Sequence, residues 1–154
     1  MTNEIAPGNP GREHPEPTDG GTEFNREVIA EFRATGGVVG GELTGRPVLL
    51  LTVRGARSGE PRTTPLVYLP DGERLVVFAS NGGSPKDPLW YRNLLAHPEV
   101  TVEVGADRYP ALAAPVAPED HEALWARQIA TAPLFADYRA GAGRTIPLVA
   151  LARV

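Results

Sequence analysis

The stretch that decides the fold reads Val48-Leu49-Leu50-Leu51-Thr52-Val53, then Gly55-Ala56-Arg57-Ser58-Gly59-Glu60-Pro61-Arg62-Thr63-Thr64-Pro65, then Leu66-Val67-Tyr68-Leu69. Two apolar runs enclose a turn marked by glycine and proline, which is the pattern of a β-hairpin. Residues 47–54 are almost continuously apolar, as in a strand buried on both faces. The second strand is expected over 62–69. Asp71-Gly72 is a tight hairpin signal, and 74–80 returns as a third strand.

Downstream, 89–96 reads as a short helix stopped by His97-Pro98. Residues 99–104 form a strand, Gly105-Ala106-Asp107 a turn, and 108–116 its partner. Pro118 suits the first turn of a helix, with Glu119 and Asp120 where the macrodipole favours acids. That helix turns Leu124, Trp125 and Ile129 inward. A second short helix covers 133–140, and 145–153 is the closing strand. Upstream, Phe24, Val28 and Phe32 recur at i, i+4 and i+8 with Ile29 beside them, which predicts a helix over 23–35. Thr22 is its expected cap and Gly36-Gly37 its end, with a loop over 40–46. Residues 1–21 are rich in Pro, Gly and acids and too poor in apolar groups to offset their ordering entropy, so a disordered tail is expected there. The sum is a mostly β chain with inserted helices, about six antiparallel strands in hairpin pairs forming a small barrel.

Bulk properties narrow the chemistry. The chain has 154 residues, one lysine (Lys86), no cysteine and a formal net charge of −4. The charge argues against non-specific nucleic-acid binding. The absence of cysteine excludes thiolate metal sites and Cys nucleophiles. No apolar run spans a bilayer and no signal peptide is apparent, so the expected compartment is the cytoplasm. The phosphate-loop, nucleophile-elbow and dinucleotide fingerprints are missing. His121, among Glu119, Asp120 and Glu122, has Trp125 rather than a ligand at i+4, so no metal site is expected. If the chain is an enzyme, its chemistry is expected to belong to a cofactor.

The turn itself is the first candidate site. Arg57 and Arg62, with Ser58, Thr63 and Thr64, make a cationic, hydroxyl-rich turn on an acidic chain, suited to a phosphate or carboxylate. A second anion-suited segment, Ala79-Ser80-Asn81-Gly82-Gly83-Ser84-Pro85-Lys86-Asp87-Pro88, opens the helix that begins Leu89-Trp90-Tyr91-Arg92-Asn93. Two such elements joined by one hairpin imply a single groove. Adjacent Trp90 and Tyr91 must face different ways, one into the core and one free to stack on a flat ring. Phe135 and Tyr138, at i and i+3, are read equally well as an apolar helix face or as pocket walls.

The ordered set of motifs resembles the deazaflavin-dependent nitroreductase family, coenzyme F420-dependent reductases with a split β-barrel. The carrying residues are Leu50-Leu51-Thr52, Gly55, Arg57-Ser58-Gly59, Pro61-Arg62, Pro65-Leu66, Ala79-Ser80, Gly82-Gly83, Pro88, Trp90-Tyr91, Asn93-Leu94, Pro98, Val100 and Arg144-Thr145-Ile146-Pro147. The resemblance implies one split-barrel domain over 22–154 with an N-terminal helix. It implies that Ala56, Arg57, Ser58, Arg62, Thr63 and Thr64 hold the phosphate and acidic tail of F420. Phe78, Ala79, Ser80 and Asn81 would line the deazaflavin, Leu89, Trp90, Tyr91, Arg92 and Asn93 would complete the groove, and Phe135 and Tyr138 would cover the acceptor side. Ser80, Tyr138 and solvent are the candidate proton sources. Asn81 stands where a nitroreductase-type member carries lysine, with Lys86 as the nearby cation. Val67, Ala132 and Phe135 replace tyrosines of that member, so an apolar pocket for quinone-like acceptors is expected. The rival readings are an FMN enzyme of the same barrel class and a non-catalytic deazaflavin or quinone carrier. A homodimer is compatible with the fold, and membrane contact is at most peripheral, at the inner face of the cell membrane.

Overall fold

In the computed structural model, which describes residues 23–154, the alternation of the first strand sorts its side chains into two cores. The expected tail and the Thr22 cap lie outside the described residues. Strands β1 (Val48–Arg54), β2 (Pro61–Asp71), β3 (Arg74–Phe78), β4 (Glu99–Val104), β5 (Asp107–Pro115) and β6 (Leu148–Arg153) close into a barrel in the order β1-β2-β3-β6-β5-β4. Every neighbouring pair is antiparallel. Leu49, Leu51 and Val53 join Val77, Val102 and Val149 in one cluster, with Trp90 and Leu94 of helix α2 (Leu89–Ala96). All six strands contribute to it, so it is the barrel interior. Val48 and Leu50 point the other way, into a second cluster shared with α1 (Glu23–Thr35), α3 (His121–Thr131) and α4 (Leu134–Ala142). Each fully buried leucine or valine contributes roughly 1.5–3 kcal/mol, so both faces of β1 carry stability.

Antiparallel pairing gives the barrel two unlike ends. Strands β1, β3 and β5 run one way and β2, β4 and β6 the other. Residues 55–60, 79–98 and 116–147 therefore all leave from the same end. The opposite end is closed by short turns at Gly72 and Gly105. No helix among the described residues is long and apolar enough to cross a membrane.

Helix α1 buries Val28, Ile29 and Phe32, the face set by the sequence periodicity. Its end is pressed against the β4–β5 turn: a Cβ on Gly37 would lie 2.6 Å from the Gly105 Cα. Arg33 donates to both oxygens of Glu103, at 3.2 and 2.9 Å, pinning the helix to β4.

Several boundaries differ from the expected ones. β3 stops at Phe78 rather than 80, because Ser80 is already helical in φ/ψ and Asn81 is left-handed. β6 starts at Leu148 rather than 145, because Pro147 has no N–H to add to a ladder. Its carbonyl instead accepts from the Ala79 N–H at 2.9 Å. β2 extends to Asp71, and Pro118 opens a 3-10 turn before α3.

Candidate active site

The β1–β2 turn is built around Ser58. Its Oγ accepts from the Glu60 N–H at 3.1 Å and lies 3.4 Å from the Arg62 Nη2 donor. The backbone closes with Gly55 N–H to Glu60 O at 2.8 Å and Gly59 N–H to Gly55 O at 2.9 Å. A Cβ on Gly55 would fall 2.7 Å from the Ser58 Oγ and 3.3 Å from the Arg62 Nε, so the hydroxyl and the guanidinium fold over a bare backbone. Strand register then separates the neighbours. Arg62 lies opposite Val53 and Thr64 opposite Leu51, which places both on the interior face of the barrel sheet. Thr63 faces outward, is buried, and shares a hydrogen bond with Thr52 at 2.8 Å. Arg57 is exposed at the tip and makes no hydrogen bond or ion pair among the described residues.

The second segment is held by a residue to which the sequence reading assigned no role. Arg144 donates to the carbonyls of Ala79 (3.0 Å), Ser80 (3.3 Å), Ser84 (3.1 Å) and Lys86 (3.0 Å), and pairs with the Asp87 carboxylate at 2.7 Å. Burial pulls the Arg144 pKa down and Asp87 opposes that shift. Asn81 donates its side-chain amide to Lys86 O at 3.1 Å, and Ser84 Oγ accepts from the Lys86 N–H at 3.1 Å. Ala79 puts its methyl into the barrel interior and Ser80 is 3% exposed, so a ligand would meet this stretch largely through backbone.

Helix α2 joins the two segments. Asn93 Oδ1 accepts the Ala56 N–H of the turn at 3.0 Å. Trp90 is the core-facing member of the aromatic pair, and Tyr91 is half-buried with its ring centroid 6.4 Å away. Burial, then the Asp87 charge, raises the Tyr91 pKa. Leu89 is partly buried and Arg92 exposed. Among the described residues, Trp90 Nε1 and Asn93 Nδ2 are buried donors without a hydrogen-bond partner. Such orphaned donors each cost roughly 1–3 kcal/mol.

Helix α4 covers the loop from the other side. Phe135 packs edge-on against Phe78 (5.8 Å) and Tyr138 (5.1 Å), and Phe78 meets Trp125 at 4.9 Å. Phe135 is 5% exposed, so it backs the site as core; Val67 and Ala132 lie buried in the same cluster. Tyr138 is partly exposed and sits over Gly83, whose added Cβ would be 3.2 Å from the Tyr138 Cα.

The model of the family described as F420H(2)-dependent quinone reductase matches residues 24–153. The F420H(2)-dependent quinone reductase Rv1261c of Mycobacterium tuberculosis (strain ATCC 25618 / H37Rv) is 40% identical over 139 residues, covering 86% of this chain and 92% of that protein. The chain belongs to the F420H(2)-dependent quinone reductase family. It is thus an oxidoreductase, and its cofactor is coenzyme F420. Among solved structures, an F420-H2 dependent reductase (FDR-A) is 34% identical with a TM-score of 0.63, over 69% of this chain and 94% of its own. Another solved structure, a domain-swapped dimer, is 32% identical with a TM-score of 0.65, over 82% of this chain and 95% of its own.

The residues present fit such a cofactor. A cationic turn, a helix tied to it through Asn93 and Ala56, and a backbone-lined segment share one barrel end, as a long anionic ligand with a flat ring requires. The Arg144-Thr145-Ile146-Pro147 motif does not disclose Arg144 as organiser, because four of its five partners are carbonyls. Arg54, which donates to Gly59 O at 3.2 Å and braces the turn, likewise carries no sequence signal of that role.

Proposed function

We propose that this reductase binds reduced F420 across the barrel end formed by residues 55–64, 78–81 and 89–93 and passes its reducing equivalents to a quinone-like acceptor under α4. Arg57, Arg62, Ser58 and Thr64 hold the anionic arm, and Thr63 supports them through its bond to Thr52. The backbone from Phe78 to Asn81, with Leu89, Tyr91 and Arg92, flanks the ring; Trp90 and Asn93 lie buried behind them, and Asn93 holds the turn through the Ala56 N–H. Bound there, reduced F420 supplies the hydride. The chain's own side chains orient, exclude water and place a proton. Tyr138 is suited to donate a hydrogen bond to an acceptor carbonyl, because it is partly exposed and adjoins the loop. Ser80 is too buried to exchange protons with water directly.

The observation that carries this reading is the Asn93–Ala56 hydrogen bond. It ties the cationic turn to α2, so that one ligand can span both. Fluorescence titration with F420 and FMN tests it. F420 is expected to bind more tightly, with affinity falling as salt rises because exposed charge contacts are screened. Equal or tighter binding of FMN would move the protein to the flavin class. Tight F420 binding with no turnover on any quinone would make it a carrier.

A further inference from the structure

We propose that Arg144 is a positioning residue for the cofactor: its guanidinium holds residues 79–87 in one shape that presents the backbone of Ala79–Asn81 and the start of α2. The inference rests on the reading of this end as the F420 site. Its basis is a convergence of five acceptors, four carbonyls and one carboxylate, on a single side chain that is 16% exposed. All five come from one short stretch, 57 to 65 positions away in sequence.

That stretch needs an external tie. Asn81, Gly82 and Gly83 take φ of 50°, 64° and 87°, three left-handed residues in succession. Asn81 carries a modest backbone cost there, whereas the two glycines adopt such φ freely and leave the loop with more conformational freedom to lose, so the shape needs holding from outside. The segment's own bonds are short-range: Gly83 N–H to Ser80 O at 2.9 Å and Ser84 N–H to Asn81 O at 3.1 Å. Arg144 follows Gly143, where α4 ends in a left-handed residue, and precedes Pro147, whose carbonyl takes the Ala79 N–H. One side chain thereby fixes the loop both to the mouth of the barrel and to the helix that carries Tyr138. The planar fork of arginine satisfies several acceptors at once; a lysine ammonium on a flexible stem cannot reproduce that fan.

Arg144→Lys and Asp87→Asn, with wild type beside them, test the proposal by two readouts. The first is amide hydrogen exchange without cofactor. Arg144→Lys should lose protection at Gly83 and Ser84 while the β-strand amides keep theirs. The second is F420 affinity by fluorescence quenching, which should weaken roughly ten-fold or more, as loss of several charge-assisted hydrogen bonds implies. Asp87→Asn keeps the four carbonyl contacts and should shift both readouts in the same direction by a few-fold. Normal F420 affinity despite lost loop protection would overturn the positioning role. Protection lost equally from the strands would also overturn it, by making Arg144 a general stabiliser. If wild type itself fails to bind F420, the site reading falls, and the exchange arm alone then judges whether Arg144 holds the loop.

Discussion

Each end of this barrel is tied by an arginine, and the two ties differ in what they hold. At the site end, buried Arg144 gathers four carbonyls and Asp87 and so fixes a loop. At the far end, exposed Arg127 pairs with Asp71 at 2.8 Å and donates to Pro70 O, while Arg74 takes the other Asp71 oxygen at 2.9 Å. That second cluster fastens α3 to a hairpin whose turn is already short. Long insertions need a buried organiser because their own bonds are few. Tight turns need only a surface pair, which contributes about 0–1 kcal/mol. Function on one end and closure on the other should therefore respond to mutation in separable ways.

The largest expected effect is on ligand binding at the site end. Arg57→Ala combined with Arg62→Ala removes two cations, each worth roughly 1.5–3 kcal/mol through charge-assisted hydrogen bonds. F420 affinity should fall by about a hundred-fold or more; the melting temperature should move little in Arg57→Ala alone, since Arg57 is exposed, and further in the double variant, which also strips Arg62 from over Gly55 and Ser58. Titration of the double variant, with thermal melts of it and of Arg57→Ala, reads both. Unchanged affinity would show that the anionic arm lies elsewhere.

Next comes a pair of glycines, one at each end. Gly83 has φ 87° and an added Cβ would press on the Tyr138 Cα at 3.2 Å; Gly72 has φ 63° and open space around it. Gly83→Ala bears both left-handed strain and crowding against backbone, roughly 2–4 kcal/mol. Gly72→Ala bears strain alone, about 1–2 kcal/mol. Thermal denaturation of the two variants should rank them in that order, and only Gly83→Ala should also weaken F420 binding. Equal melting temperatures would mean that α4 yields to the methyl without cost.

The barrel was legible in the sequence because its signals are local. Two-residue turns, period-two alternation and the near-continuous apolar run of β1 each act over a few residues, and all six strands occur in the expected order, with shifts of one to three residues at the ends where proline or left-handed backbone intervenes. The cationic turn was legible for the same reason. The side on which each hydroxyl falls was not: Thr63 and Thr64 look alike in sequence, and only the register opposite Thr52 and Leu51 separates them. Arg144 was hidden because its partners lie 57 to 65 residues upstream and four of them are carbonyls, which carry no side-chain signature. Phe135 could be read either as pocket wall or as core. Its burial against Phe78 depends on a helix packing that no periodicity reveals.

A smaller effect is expected at the acceptor. Tyr138→Phe removes one phenol hydroxyl from a partly exposed position, a loss of about 0.5–1.5 kcal/mol if it orients a carbonyl. Catalytic efficiency with a short-chain quinone should fall several-fold, with F420 affinity nearly intact. Steady-state oxidation of reduced F420 measures this. A wild-type rate would place the acceptor away from α4.

The smallest effect belongs to the far end and is a matter of pH. Hydrogen bonds from Arg127, then Arg74, lower the Asp71 pKa from its ordinary value. A carboxyl depressed in the folded state stabilises the fold above its unfolded pKa. That contribution disappears as pH falls through the folded value, where both states bind the proton. Asp71 is about a quarter exposed, with 27% of its side chain accessible, so solvent screening limits the contribution to about 1 kcal/mol at most. For a chain of this size that corresponds to a melting temperature lower by roughly 2–4 °C in Asp71→Asn at pH 6. The gap between wild type and variant should close as the pH is taken below the aspartate range, since a protonated Asp71 and the asparagine amide of the variant are then nearly equivalent toward the two guanidinium groups. F420 affinity should be the same in both proteins at every pH, because the cluster sits at the end away from the cationic turn. A gap that stays constant down to strongly acidic pH would assign the effect to packing rather than charge. A change in F420 affinity would show that the two ends communicate, and would break the separation on which the comparison stands.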